Sequence, residues 1–382
     1  MVTVEPDIID WVMHIVPNIE NTSVSDTLHD WKTGKTKPTF PQIEKISKKT
    51  HIPLGYFFLK TSPNEEFPVL NCRTIQSKNT KGYSRNTIDT IIHMTDIQDW
   101  MRDYLIDINY DPLPFVGSIN AEQNMQEIIN TLYDTLLVSP DWHKSLSTKM
   151  DAFNFFREKI TNSGILVMKS GIVRNYTKRY LNIEEFRAFT LNDKYAPLIF
   201  INSNDSESAK LFSLLHEMVH VFFGVDNFNN DRYSVNGVSK VETVCNAVAA
   251  EVLLPQKMFI TEWSRLANKE VDDKMRLLSK SFKCGEMVVA RKALDNHFIN
   301  QIQYQEIVTA LIEKFSIEQN KKKEQNGDNF YDTTASRVDK RFLLALDSSV
   351  REGKTQYTEA YHLTNTNLGT FSGLVDHVRG KA

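Results

Sequence analysis

The sequence predicts an α+β protein that is mostly helical and has one small sheet. Three observations carry this. Apolar residues recur at helical spacing through most of the chain, while three short apolar runs near 165–168, 186–191 and 197–202 read as strands. Those runs lead into LFSLLHEMVHVFFG (Leu211–Gly224), a helix that is apolar on nearly every side and interrupted only by His216, Glu217 and His220.

Composition bounds the rest. The chain has 382 residues, 41% hydrophobic and 24% charged, enough for two or three globular domains. A net charge of −3 gives no global drive towards nucleic acid, so any basic surface must be local. Cys72, Cys245 and Cys284 are an odd number, far apart and without a CxxC, which points to reduced thiols and a cytoplasmic setting. The start, MVTVEPDIIDW, lacks a basic segment followed by an apolar one, and no 18-residue apolar run occurs, so no membrane partner is expected.

In chain order, Ile8, Ile9, Val12 and Val16 form an apolar stripe. Ser25 or Asp26 can cap a helix carrying Leu28 and Trp31, and Pro38 to Pro41 restart another with Ile43 and Ile46. Lys32, Lys35, Lys37, Lys45, Lys48 and Lys49 could contact phosphates while carrying little sequence information, or form the solvated face of a small docking or dimerisation module. Residues 62–85, with Pro63, Pro68, Arg73, Lys78, Lys81 and Arg85, read as a linker or an arm. A long helix follows from Asn86 to Asn109, DPLPF breaks it, and two more cover 120–138 and 148–162. The strands come next, in a mixed or antiparallel sheet; Asn204, Asp205 or Ser206 can cap the Leu211–Gly224 helix, and Gly224 can end it. Residues 256–312 are again helical, KKKEQNGDN (321–329) reads as a charged linker, and short helices at 341–352, 357–363 and 371–378 close the chain.

On a helix, His216 and His220 project from one face and can share a metal ion, with Glu217 beside it to take a proton from the attacking water. A catalytic zinc needs a third protein ligand, and KVETVCNAVAAEVLLP (Lys240–Pro255) offers Glu242 and Glu251. Glu242 is preferred, because Asn246 one turn later can orient His216 or Glu242 by a hydrogen bond, and Ala247, Ala249 and Ala250 permit close helix approach. Glu251 reads more simply as a buttressing charge, and Cys245 as a buried structural thiol on a different side from Glu242. The oxyanion would need an electrophile, for which Arg174, Tyr176, Tyr195 and His297 are candidates.

HEMVH, then ETVCNAVAAEVLLP, preceded by APLIFINSNDSESAKLF, resembles the ImmA/IrrE family of zinc metallopeptidases over about residues 155–260. LHDWKTGKTKPTFPQIEKIS resembles the second half of an XRE-type helix-turn-helix domain, though too little chain lies between Trp11 and Trp31 for a full helix pair. LLSKSFKCGEMVVARKALDNHFI resembles a second helix-turn-helix-like module or a packing appendage. The resemblance implies a gluzincin-like sheet-plus-helix core, zinc held by His216, His220 and Glu242, and Glu217 as general base. It implies limited proteolysis of a repressor-like regulator.

The expected organisation is an XRE-like region over 1–70, a linker and helical region over 71–150 and a peptidase core over 151–260. A helical appendage over 261–320 and a regulatory or docking region over 321–382 follow. The expected partner is a protein substrate, with DNA at the N-terminal region as a further candidate. The alternative is a non-proteolytic transcriptional regulator or antitoxin-like protein of a mobile-element or toxin–antitoxin locus, binding DNA or a toxin.

Overall fold

The computed structural model describes residues 2–16, 19, 22–63, 83–224, 240–322 and 330–380. Its elements, in order, are α1 (Pro6–Ile15), α2 (Ser23–Lys32), α3 (Phe40–Thr50), α4 (Arg85–Asp107), α5 (Met125–Leu136), α6 (Lys149–Asn162), β1 (Leu166–Ser170), β2 (Ala188–Leu191), β3 (Leu198–Asn202) and α7 (Glu207–Phe223). They continue with α8 (Lys240–Leu253), α9 (Gln256–Arg265), α10 (Val271–Ser281), α11 (Glu286–Asp295), α12 (Gln301–Lys322), α13 (Phe330–Arg337), α14 (Lys340–Arg351), α15 (Tyr357–Thr364) and α16 (Leu368–Gly380). Helix dominates and the sheet is small, an α+β arrangement. The basic segment with Pro68, Arg73, Lys78 and Lys81 lies outside the described residues, as do 323–329 of the charged stretch before α13.

The described residues form two compact units: one from 2–63, 83–93 and 172–185, the other from 94–171 and 186–380. In the first, α1, α2 and α3 bury Ile8, Val12, Leu28, Trp31, Ile43 and Ile46 around Phe57. Thr22 caps α2 by accepting the Ser25 N–H at 3.3 Å, and Thr39 with Gln42 forms a capping box at α3. Of the six N-terminal lysines, all exposed, Lys32 pairs with Asp10, Lys35 with Asp30 and Lys48 with Glu44.

The second unit is organised on the sheet, whose order is β1-β3-β2. β1 and β3 are parallel, with Leu166 opposite Leu198, and β2 and β3 antiparallel, with Thr190 opposite Ile199. β3 is therefore central, with both edges paired, and of the apolar 186–201 stretch only β2 offers a sheet edge. Short apolar strands look alike whether central or peripheral, so this order is not readable from local pattern.

Helix α7 packs on β2 and β3 between α6 and α8. Its apolar residues on every side are explained by that enclosure: Leu211, Leu214, Leu215, Met218, Val219 and Phe222 are all fully buried. Ser206 is the cap, accepting the Ala209 N–H at 3.2 Å, and Gly224 ends the helix at φ 55°. Helices α10 and α11, with Cys284–Gly285 at their turn, place Leu278, Phe282, Val289 and Ala293 in the same core as α7. They extend that core.

Candidate metal centre

α7 carries His216, Glu217 and His220 into the core, where each is no more than 2% exposed. Such burial of two imidazoles and a carboxylate is costly unless their polar atoms are satisfied. Glu242, in the first turn of α8, supplies part of the answer. Its Oε2 lies 3.2 Å from His216 Nε2 and its Oε1 lies 3.0 Å from His220 Nε2. The two Nε2 atoms are 3.1 Å apart.

Those separations test the site for a metal. At this distance one Nε2 can donate to the other in the right tautomer, and with both nitrogens unprotonated their lone pairs can instead converge on one cation. A tetrahedral ion with bonds of about 2.0–2.1 Å would space its ligands roughly 3.3 Å apart. The three separations of 3.0–3.2 Å are close to that value, and the donor set of two imidazoles and one carboxylate suits zinc. The residues fit one divalent ion.

Electrostatics agree. Burial pushes the Glu242 carboxyl up, but hydrogen bonds and charge from His216 and His220 outweigh it and hold the group well below the usual carboxylate range. Burial pushes His220 down, yet its bonds to Cys245 and Glu242 raise it well above the ordinary imidazole value. Cys245 is itself pushed up by burial. That contact corrects the sequence reading of Cys245: three residues after Glu242, it shares the inner side of α8 and meets His220.

Glu251, the rival carboxylate, is occupied elsewhere. It receives Lys292 Nζ and, at 2.7 Å, the Gln256 N–H at the start of α9. Asn246 is half-buried and, among the described residues, makes no hydrogen bond to His216 or Glu242. Among the described residues His216 Nδ1 is buried without a hydrogen-bond partner, and Phe212 lies over the same ring at 6.3 Å. Of the small residues on α8, Ala249 is buried in the core, Ala250 is half-buried, and Ala247 is exposed. None of the four oxyanion candidates hydrogen-bonds His216, Glu217, His220 or Glu242 among the described residues; Arg174 and Tyr176 belong to the first unit and His297 is exposed.

Sequence reasoning missed Thr190. Its Oγ1 donates to Glu217 Oε2 at 2.8 Å, whereas Glu217 Oε1 is buried and has no hydrogen-bond partner among the described residues. A threonine in a strand gives no signal of this role, because β-branched residues are common there for packing reasons alone.

A helix with two histidines, closed by a glutamate from the next helix, makes a largely buried His-His-Glu group with the spacing of metal ligands. Comparison with known families then adds a match over residues 161–294 to the Peptidase_M78 model, described as an IrrE N-terminal-like domain. The matched segment therefore resembles a peptidase domain of the ImmA/IrrE kind, a family whose members are generally metal-dependent. Residues 338–377 match a domain of unknown function, DUF8813. No curated protein matches the chain. Among the described residues, no helix is long and apolar enough to cross a membrane.

Proposed function

We propose that this protein is a zinc-dependent endopeptidase that performs limited proteolysis of a regulatory, repressor-like protein. The observation that carries the reading is the convergence of His216, His220 and Glu242 beside a buried Glu217, one of whose oxygens has no hydrogen-bond partner among the described residues. Those three residues would hold the ion, which when bound supplies Lewis-acid polarisation of the scissile carbonyl and of the attacking water. Glu217 takes the water's proton at Oε1 and returns it to the leaving amine. The buried setting keeps bulk water from competing for that proton. β2, the edge strand that carries Thr190, is the element an extended substrate would pair with by strand addition. A proline placed in β2 that left cleavage unchanged would remove that part of the proposal.

The alternative, a non-proteolytic regulator or antitoxin-like protein binding DNA or a toxin through its helical ends, has less support. A base poised next to a metal cluster has no task in a purely structural site. Three of the six N-terminal lysines are paired with carboxylates of their own unit, which weakens them as phosphate contacts.

The test is Glu217→Gln in the full chain, expressed with its genomic neighbours and scored for cleaved proteins and bound zinc. Retained zinc with lost cleavage is the expected result. Full biological activity in Glu217→Gln, or a promoter gel shift with no cleavage by the wild type, would favour the alternative.

A further inference from the structure

The Glu217 carboxylate is asymmetric. Oε2 accepts from Thr190 Oγ1 at 2.8 Å, while Oε1 is buried among described residues and accepts from nothing. Thr190 has one hydroxyl proton to give. The Glu217 carbonyl oxygen lies 3.4 Å away, at the margin of a hydrogen bond, so the carboxylate is the preferred acceptor. Position reinforces this choice. Thr190 sits in β2, held opposite Ile199 of β3, and α7 packs on that strand. The hydroxyl is therefore delivered from a paired strand to a group 27 residues later in the chain.

We propose that Thr190 is the positioning residue of the Glu217 base, anchoring Oε2 so that Oε1 alone exchanges protons with the reacting groups. The inference rests on the peptidase reading above and deepens it. An unanchored glutamate could rotate about its terminal torsions, and either oxygen could then turn away from the cluster. A hydrogen bond to a charged acceptor in a site almost closed to water fixes that rotation at a cost the strand has already met. Among the described residues the Thr190 hydroxyl hydrogen-bonds Glu217 and none of the expected ligands, so its role runs through Glu217.

The experiment uses the zinc-loaded full chain and acetohydroxamate, a chelating probe that gives up a proton to a neighbouring carboxylate as it binds. Binding is measured by calorimetry for the wild type, Thr190→Val, Thr190→Ser and Glu217→Gln, with zinc content and melting temperature recorded for each. Valine keeps the shape of threonine and removes the hydroxyl. The expected result is a loss of about tenfold in acetohydroxamate affinity for Thr190→Val with zinc content unchanged, and recovery in Thr190→Ser. Wild-type affinity in Thr190→Val, a serine variant as weak as the valine one, or loss of zinc in Thr190→Val would each overturn the assignment. If Glu217→Gln binds the probe as the wild type does, the base itself is misassigned and the peptidase reading falls with it. If Glu217→Gln weakens binding and Thr190→Val does not, only the role of Thr190 falls. A wild type that takes up no zinc overturns both.

Discussion

Asp339 Oδ2 accepts the backbone N–H of Val167 at 3.0 Å, closing the outer edge of β1 with a side chain from 172 residues later. Arg157 completes the closure by donating to the Val167 carbonyl at 3.1 Å. Side chains thus satisfy the main chain at the centre of β1, whereas among the described residues no strand pairs with the outer edge of β2. The asymmetry leaves strand addition one place to occur, beside Thr190 and Glu217.

The first prediction concerns that clasp. Asp339 also accepts from Thr161 Oγ1 at 3.0 Å and caps α14 through the Arg341 N–H at 2.9 Å. Asp339→Ala leaves the buried Val167 and Phe342 N–H groups and the half-buried Thr161 hydroxyl without their acceptor, and deprives half-buried Arg157 of its nearby charge. A loss of about 3–4 kcal/mol is expected in chemical denaturation, with Asp339→Asn losing less.

Glu251 provides a contrast with Glu242. Its partners are Lys292 and the Gln256 N–H, which tie α8 to α9 and α11. Glu251→Gln should therefore bind zinc like the wild type while losing about 2–4 kcal/mol of stability, because it leaves the Lys292 charge buried and unpaired. Zinc titration of the folded variant separates the two effects.

Much of the metal helix was legible. Its apolar surroundings, the histidine spacing and the terminal glycine all follow from one-dimensional pattern, because helical period is written locally. The cap was legible only as a group, since Asn204, Asp205 and Ser206 all have capping side chains. The sheet order was not legible, because short apolar strands carry no mark of being central or peripheral. Cys245 was misplaced although its distance of three residues from Glu242 already put both on one side of α8. Thr190 depends on a contact between strand and helix that no local pattern encodes.

Gly224 makes a third prediction. At φ 55° it lies in the left-handed region, and an added Cβ would come 2.3 Å from Gly117 Cα. The Gly117 and Ile119 N–H groups accompany this approach by donating to the Val221 and Phe222 carbonyls at the end of α7. Gly224→Ala is expected to cost at least about 2 kcal/mol, read as a lowered melting temperature.

Lys169 gives a pH-dependent prediction. Burial, together with the charges of Arg157 and Lys210, pushes its amine down to about 8. An unfolded chain holds that proton up to about pH 10.4. Between about pH 8 and 10 the unfolded state binds more protons, so this group's contribution to stability rises with pH and is lost below about 8. Lys169→Met should raise stability at neutral pH by about 1–2 kcal/mol, allowing for partial exposure, and flatten the alkaline slope in denaturation midpoints.

The central claim is a single metal centre built by His216, His220 and Glu242, and zinc stoichiometry of the purified chain tests it most directly. The wild type and Glu217→Gln are expected to bind one zinc per chain, while Glu242→Ala weakens binding by at least about 100-fold. A wild type without zinc, or a Glu242→Ala variant that holds it as firmly as before, would contradict the account.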